Sequence, residues 1–331
     1  MDYLGLLIHA ALLLRRYENS IIRESVDPLF QALTREIAVA SRPSLLGFDR
    51  ARIAKVLDLV YTRLTERAGA DLVLVAENHA RKVEAAIERR APEGGQVRSI
   101  NAQNSEQLRT KLSIDLQPLA ATSRAQEILD GDSFDGATWK RWNEIHRDKA
   151  LRDTQIQTAL SRNAKESPAQ LRERLLTNVT RPAQLRARAL TRTFALNVSN
   201  ALAYESAERD PATKGYRLLV VLDGRTSLIC LAYSAEHKFY LFAPGNPRPP
   251  FHYNCRTVIY PVIVGRENEK PRDAEKWLAR KSAAEQDEIL GEERGAMYRA
   301  GEISLAGLIN SENRVLDLAE LRGVSSSAGI R

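Results

Sequence analysis

The sequence predicts an α+β fold with a mainly helical N-terminal body, a small antiparallel β-sheet and a helical C-terminal tail. Apolar residues recur at helical spacing through most of residues 1–91 and 139–200. Three short runs rich in β-branched and aromatic residues, at 218–222, 239–242 and 258–262, predict strands. Aromatic residues make up only 6% of the chain, and a composition rich in Ala, Leu, Arg and Glu favours helix elsewhere.

Length and composition limit the class of protein. The 331 residues are enough for about two domains. A content of 44% hydrophobic and 27% charged residues excludes a wholly disordered chain, and two cysteines exclude a secreted scaffold held by disulfides. The most apolar stretch, 4–14, is about half the ~20 residues of a membrane-spanning helix, and no signal-peptide cleavage site is evident. We therefore expect a chain made in a reducing cytoplasm, with no membrane partner.

Linker and turn signals divide the chain into three regions. Residues 1–95 are predicted to form an N-terminal helical docking region, which Pro28 interrupts and a linker at 91–95 ends. Residues 96–265 are predicted to hold basic helices and the small sheet, as a second domain. Residues 266–331 are predicted to form a C-terminal helical extension.

The helices of the second region are strongly basic. New helices are predicted at Ser167–Pro168 and Arg181–Pro182, because proline is favoured in the first turn of a helix. Between Lys140 and Arg192 the chain has 13 Lys or Arg and 5 Asp or Glu, whereas the net charge of the whole protein is +7. Such a stretch can contact double-stranded DNA nonspecifically through its phosphates, although a solvated helix surface with compensating charges is the commoner outcome. The candidate phosphate contacts are Lys140, Arg141, Arg147, Arg172, Arg174, Arg186 and Arg188.

The densest group of chemically active residues lies around the predicted strands. It contains both cysteines of the chain, at a spacing of Cys230-x21-His252-x2-Cys255. Both ends of this spacing adjoin predicted strands, so a sheet can bring them together. The members of the group are Asp223, Arg225, Thr226, Cys230, His252, Cys255 and Arg256.

Three interpretations of the two thiols are open. A structural zinc site needs four ligands, so Asp223 or His237 would have to join Cys230, His252 and Cys255. Two reduced, half-buried thiols beside a hydrogen-bonded histidine are favoured over zinc. A disulfide comes third, because the cytosol disfavours it.

The same residues do not predict an enzyme. A nucleophilic cysteine needs an oriented base and an oxyanion pocket, and no pattern identifies them. No GxxxxGK[ST] loop and no GxGxxG fingerprint occurs, which argues against an NTPase or a dinucleotide enzyme. Asp223 is instead expected to accept hydrogen bonds from the following turn and to pair with Arg256, whose planar guanidinium suits that task.

Two ordered strings carry a resemblance to a known family. They read Leu-Asp-Gly-Arg-Thr-Ser at 222–227, followed by Cys230, and Pro-Pro-Phe-His-Tyr-Asn-Cys-Arg at 249–256. This order resembles the signature of the phage head-morphogenesis proteins, the minor head proteins of tailed bacteriophages that are similar to the Mu F protein. The resemblance covers roughly residues 180–322. Thr257 stands where many members have a second cysteine, which weighs against a zinc site here.

The resemblance implies a structural role in the virion. Such proteins are present in several copies per particle, associate with the portal protein and the major capsid protein at one vertex, and act in head assembly or genome delivery. The runner-up is a zinc- or Cys/His-dependent enzyme, such as a nuclease or a toxin-like transferase. A free-standing DNA-binding protein is a third hypothesis.

Overall fold

The computed structural model describes residues 3–40, 50–88, 118–131, 134–265, 271, 273–312 and 314–328. Helices dominate these residues, together with one two-stranded antiparallel sheet, so the predicted α+β fold class is confirmed. The predicted linker at 91–95 lies outside the described residues. None of the described helices has both the length and the apolar composition needed to cross a membrane.

The N-terminal helices form two long rods, each containing a π-helical turn. The first rod comprises α1 (Tyr3–Ile21), a π turn (Ile22–Val26) and α2 (Asp27–Ala40). The second comprises α3 (Arg50–Arg63), a π turn (Leu64–Ala68) and α4 (Gly69–Glu88).

Pro28 does not interrupt the first rod, contrary to the sequence prediction. The Asp27 N–H bonds the carbonyl of Ile22, five residues back, so the helix is locally wider just before the proline. A proline ring usually clashes with the carbonyl four residues earlier and removes a hydrogen bond. The π turn relieves that conflict, and the helix continues to Ala40.

The basic helices follow after α5 (Pro118–Gly131). They are α6 (Trp139–Asn163), α7 (Pro168–Leu175), a π turn (Leu176–Thr180) and α8 (Arg181–Arg209). The predicted start at Ser167 is confirmed: its hydroxyl accepts from the Gln170 N–H, and the Gln170 side chain accepts from the Ser167 N–H. The α-helix predicted to start at Arg181–Pro182 also begins there, although the π turn joins it to α7 without a break.

Helix α8 is the centre of the molecule. It packs against α1, α4, α5, α6 and both strands. Side chains on several of its faces are buried, including Leu190, Phe194 and Ala203. Because α8 is packed on several sides, its side chains are held in fixed positions. Two of them, Thr193 and Asn200, contact the candidate site.

The sheet pairs β1 (Thr213–Leu219) with β2 (Val258–Ile263) in antiparallel register, with Leu218 opposite Ile259. The first strand was predicted at 218–222, whereas β1 begins at Thr213 and ends at Leu219. The predicted strand at 239–242 contributes only a bridge between Tyr240 and Tyr216. Tyr240 and Tyr216 exchange two backbone hydrogen bonds, and a Cβ atom at the neighbouring Gly215 would lie 2.2 Å from the Tyr240 carbonyl oxygen.

Three hydrophobic clusters meet at α9 (Leu228–Glu236). Cys230 belongs to the main core, which also takes in side chains from α1 to α8. Leu231 belongs to a second cluster with the C-terminal helices, and Tyr233 to a small aromatic cluster on the sheet. The C-terminal elements are α10 (Ala274–Leu278), α11 (Ala283–Leu290), α12 (Glu292–Arg299), a 3₁₀ turn (Ala306–Leu308) and α13 (Leu318–Ala328).

Candidate functional site

Cys230, His252 and Cys255, here called the Cys–His cluster, come together between α9 and β2. The His252 Nε2 atom lies 3.2 Å from the Cys230 Sγ atom, and the two sulfur atoms are 3.8 Å apart. Ser227 caps α9 by accepting from the Cys230 N–H, which places the Cys230 side chain in the first turn and buries it. A turn with Asn254 at φ 58° returns the chain so that the Cys255 N–H bonds the His252 carbonyl.

Hydrogen bonding fixes the orientation of the His252 ring. The Nδ1 atom lies 2.8 Å from the Tyr253 carbonyl oxygen, which can only accept, so Nδ1 carries a proton. The Nε2 atom faces the Ser227 hydroxyl at 2.7 Å and the Cys230 sulfur. In metal sites, a histidine ligand is commonly oriented by such a carbonyl on its other nitrogen.

The two thiols share their protons unequally. The hydrogen bond with Cys230 lowers the pKa of Cys255 to about 4, although burial opposes this, and His252 lowers it further. The same hydrogen bond and burial raise the pKa of Cys230 well above its usual value. The cluster therefore stabilises a thiolate beside an imidazole, a combination that suits a soft cation.

The cluster can hold a metal ion, with one donor atom from each residue and all three donors within 4.8 Å of one another. The two residues that the sequence offered as a fourth ligand are engaged elsewhere. Asp223 binds Arg256, and the Nε2 atom of His237 lies 3.4 Å from the Asp273 carboxylate. The Ser227 hydroxyl is the neighbouring oxygen on the open side of the cluster.

An ion pair closes the turn before α9. Both nitrogen ends of the Arg256 guanidinium bond the two carboxylate oxygens of Asp223, as the sequence predicts. This hydrogen bonding lowers the pKa of Asp223 to about 2, with the Arg225 N–H adding a further bond to the carboxylate. The Thr226 hydroxyl donates within the same turn and accepts from the Asp223 N–H at 2.9 Å. The turn is thereby tied to the strand that follows Cys255.

Two side chains of α8 anchor the segment that carries His252 and Cys255. The Asn200 amide donates to the carbonyls of Thr257 and Pro249, and its oxygen accepts from the Ile259 N–H at 3.1 Å. About two turns earlier on the same helix, the Thr193 hydroxyl accepts from the Asn254 N–H at 3.0 Å. The position of the cluster is therefore set by the central helix.

The space beside the cluster is small. A depression lined by Arg225, Ser227, His252 and Arg256, among others, has a volume of about 10 Å³. That is about the volume that one water-sized group occupies. A wider cleft of about 840 Å³ lies between the 248–253 segment and α8, with His252 on its border.

The candidate phosphate contacts do not form an open basic face. Five of the seven lie in ion pairs, and three of these pairs join different helices. These pairs are Arg141–Glu144, Arg147–Asp58, Arg174–Glu166, Arg186–Asp153 and Arg188–Asp27. Lys140 and Arg172 are exposed, and neither forms an ion pair within the described part of the chain.

The sequence analysis missed Asn200 and Thr193, and it did not assign a role to Ser227. A signal for Ser227 exists: Ser227-x2-Cys230 repeats the spacing of His252-x2-Cys255. No comparable signal marks Asn200. It is an isolated polar residue in a helix, and its hydrogen-bond partners lie about 50 residues later in the chain.

Comparison of the chain with protein-family models, with curated proteins and with solved structures finds no match.

Proposed function

We propose that this chain is a minor head protein of a tailed bacteriophage, which acts at the portal vertex in head morphogenesis. One observation carries the proposal: the residues of the two family-like strings serve as internal braces. Asp223 pairs with Arg256, Thr226 closes the turn, and the Cys–His cluster joins the first turn of α9 to the segment just before β2. These contacts support a role in shaping the protein.

The small depression favours this role over catalysis. A substrate-binding pocket typically has a volume of hundreds of Å³, whereas about 10 Å³ is open beside Cys230, and the cleft of about 840 Å³ reaches the cluster only at His252. The lowered pKa of Cys255 is the observation that favours a Cys/His enzyme, such as a nuclease or a transferase. However, Cys255 is only 3% exposed.

The proposed partners are the portal protein, the major capsid protein and double-stranded DNA, with the protein located in the virion. Helices α1 to α4 would provide the docking surface for the protein partners. Three large apolar side chains on these helices are exposed, namely Leu12, Leu59 and Leu74. Exposed apolar groups of this kind are available for burial against a partner.

The metal proposed for the Cys–His cluster is a structural zinc ion, held by Cys230, His252 and Cys255. Bound zinc would hold the first turn of α9, which carries Cys230, against the 252–255 segment that precedes β2. We expect purified protein to contain about one zinc per chain by elemental analysis, because two sulfurs and an imidazole match the preference of this ion. The Cys255→Ser variant should lose most of that zinc, and a chelator should lower the melting temperature of the wild-type protein.

The His237→Asn variant is the matched control, since His237 lies outside the cluster and should leave the zinc content unchanged. Equal zinc in the wild-type protein and the Cys255→Ser variant, or no zinc in either, would contradict the metal proposal. The virion role does not depend on that result.

The virion role is tested by deleting the gene from the phage and supplying the protein in trans. We expect the deletion to give defective or poorly infectious heads and a titre restored by the wild-type chain. The Arg256→Gln variant should restore it poorly, because it breaks the ion pair with Asp223. The His237→Asn variant serves again as the control. A normal titre without the protein, or its absence from purified particles by mass spectrometry, would refute the proposal.

A further inference from the structure

The two cysteines of the chain meet in one buried contact. Their sulfur atoms lie 3.8 Å apart, and Cys230 and Cys255 are each only 3% exposed. A disulfide bond is about 2.05 Å long, so the sulfur atoms would need to approach by about 1.8 Å, a distance that rotation of the two side chains can supply. The chain contains no third cysteine, and burial keeps the thiols of other molecules away. The partner available to each sulfur is therefore the other.

Two anchored segments hold the sulfur atoms in this contact. Cys230 lies in the first turn of α9, and its sulfur lies 3.2 Å from the Thr257 hydroxyl. Cys255 lies in the segment that Thr193 and Asn200 fix to α8 by hydrogen bonds. Two groups that a fold holds in contact react with each other far more readily than the same groups free in solution, because the entropy of bringing them together is already lost.

A small oxidant has a route to the pair. Cys230 lines the depression of about 10 Å³, beside the hydroxyl of Ser227 and the ring of His252. That volume is close to the space of one water-sized group. It suits the terminal oxygen of a peroxide better than the larger sulfur of a disulfide reagent. A peroxide is therefore the class of oxidant that fits this approach.

We propose that Cys230 and Cys255 form a redox switch, which a peroxide closes into a disulfide. The two thiols lose two protons and two electrons as the S–S bond forms. Hydrogen peroxide takes up these protons and electrons as its O–O bond breaks, and two molecules of water leave. A thiol reductant reverses the step by thiol–disulfide exchange and is itself oxidised to a disulfide.

The switch exchanges one brace for another. In the reduced state, Cys230 and Cys255 are free to hold the proposed zinc ion, whereas the disulfide removes both sulfur ligands. The covalent bond then joins the first turn of α9 to the segment before β2 in place of the metal. Since the cytosol keeps thiols reduced and extracellular surroundings do not, the metal form belongs to assembly and the disulfide form to the released particle. Only this assignment of the two forms rests on the proposed function; the thiol chemistry stands without it.

The first test treats the full metal-free chain with hydrogen peroxide and analyses it by mass spectrometry. We expect the loss of two hydrogen atoms and, after digestion, one pair of peptides joined through Cys230 and Cys255. The Cys255→Ser variant cannot form this link and should gain oxygen on Cys230 instead. A wild-type chain whose cysteines stay reduced in excess peroxide, or gain oxygen without joining, would overturn the proposal.

The second test separates the effect of the fold from the mere presence of two cysteines. The full chain is equilibrated with mixtures of reduced and oxidised dithiothreitol, with and without denaturing urea. We expect the equilibrium constant for oxidation to be larger by about tenfold or more in the folded chain, because the fold holds the sulfur atoms in contact. Equal constants for the folded and unfolded chain would overturn the switch.

The third test follows zinc during oxidation. Peroxide should release zinc from the loaded chain as the disulfide forms, which a colorimetric chelator measures. Zinc retained by the disulfide form would overturn the exchange of braces. A chain that forms the disulfide but never binds zinc would contradict only the metal proposal, and a chain that binds zinc but forms no disulfide would contradict only the switch. The phage complementation test is independent of both.

Discussion

Replacing Asn200 by alanine is expected to lower the free energy of unfolding by about 2–4 kcal/mol, as measured by urea denaturation. Asn200 is 1% exposed, and its side chain bonds two carbonyls and the Ile259 N–H. Alanine would leave these three buried backbone groups without partners. Each such group costs about 1–3 kcal/mol, and local relaxation recovers part of the loss.

Asn197 provides a matched control on the same helix. Its side-chain nitrogen is also shielded from solvent but has no hydrogen-bond partner among the described residues. The Asn197→Ala variant should therefore lose less than about 1 kcal/mol, since no paired group is left behind. Similar losses for the two variants would show that the Asn200 hydrogen bonds contribute little to holding the 249–259 segment on α8.

The Asn200 result also bears on the Cys–His cluster. The Thr257 carbonyl that Asn200 binds follows Cys255 by two residues, and the Thr257 hydroxyl lies 3.2 Å from the Cys230 sulfur. A loosened 249–259 segment would move Cys255 and His252 relative to Cys230. The central helix thus sets the geometry of the cluster from outside it.

The sequence predicted the contacts that depend on nearby residues. The start of α7 follows from Ser167, Pro168 and Gln170, which are within one turn of each other. The sequence also predicted the meeting of Cys230 with His252 and Cys255, but the reason was only half right. Cys255 lies just before β2, whereas Cys230 lies on α9, which begins nine residues after the end of β1. Only at the start of α7 does a local pattern determine the structure almost alone.

The errors arise where a distant segment decides the outcome. The strand predicted at 239–242 has the composition of a strand, but it pairs with β1 only through the bridge between Tyr240 and Tyr216. Pro28 predicts an interruption, yet the π turn before it keeps the first rod continuous.

Glu18 gives the second large effect, a loss of stability as the pH rises. Its side chain is 5% exposed, and burial raises its pKa from the ordinary value of 4.5 to about 8, although Arg15 and Arg192 oppose this shift. Between these two values the folded protein holds a proton that the unfolded chain has lost. The Glu18 contribution to the free energy of unfolding should therefore fall by about 1.4 kcal/mol per pH unit, or about 4 kcal/mol from pH 5 to pH 8.

The Glu18→Gln variant isolates this contribution, because glutamine keeps the shape and cannot ionise. In urea denaturation between pH 5 and pH 8.5, its stability relative to the wild type should increase steadily with pH. Burial lowers the pKa of His79 and of His146 to about 4. The free energy of unfolding that these histidines contribute therefore falls as the pH drops below about 6.5, by the same amount in both proteins. The exposed Glu66→Gln variant should follow the wild-type profile. Parallel profiles for the wild type and Glu18→Gln would mean that Glu18 is already ionised in the folded protein. Arg15 and Arg192 would then stabilise its carboxylate enough to offset the effect of burial.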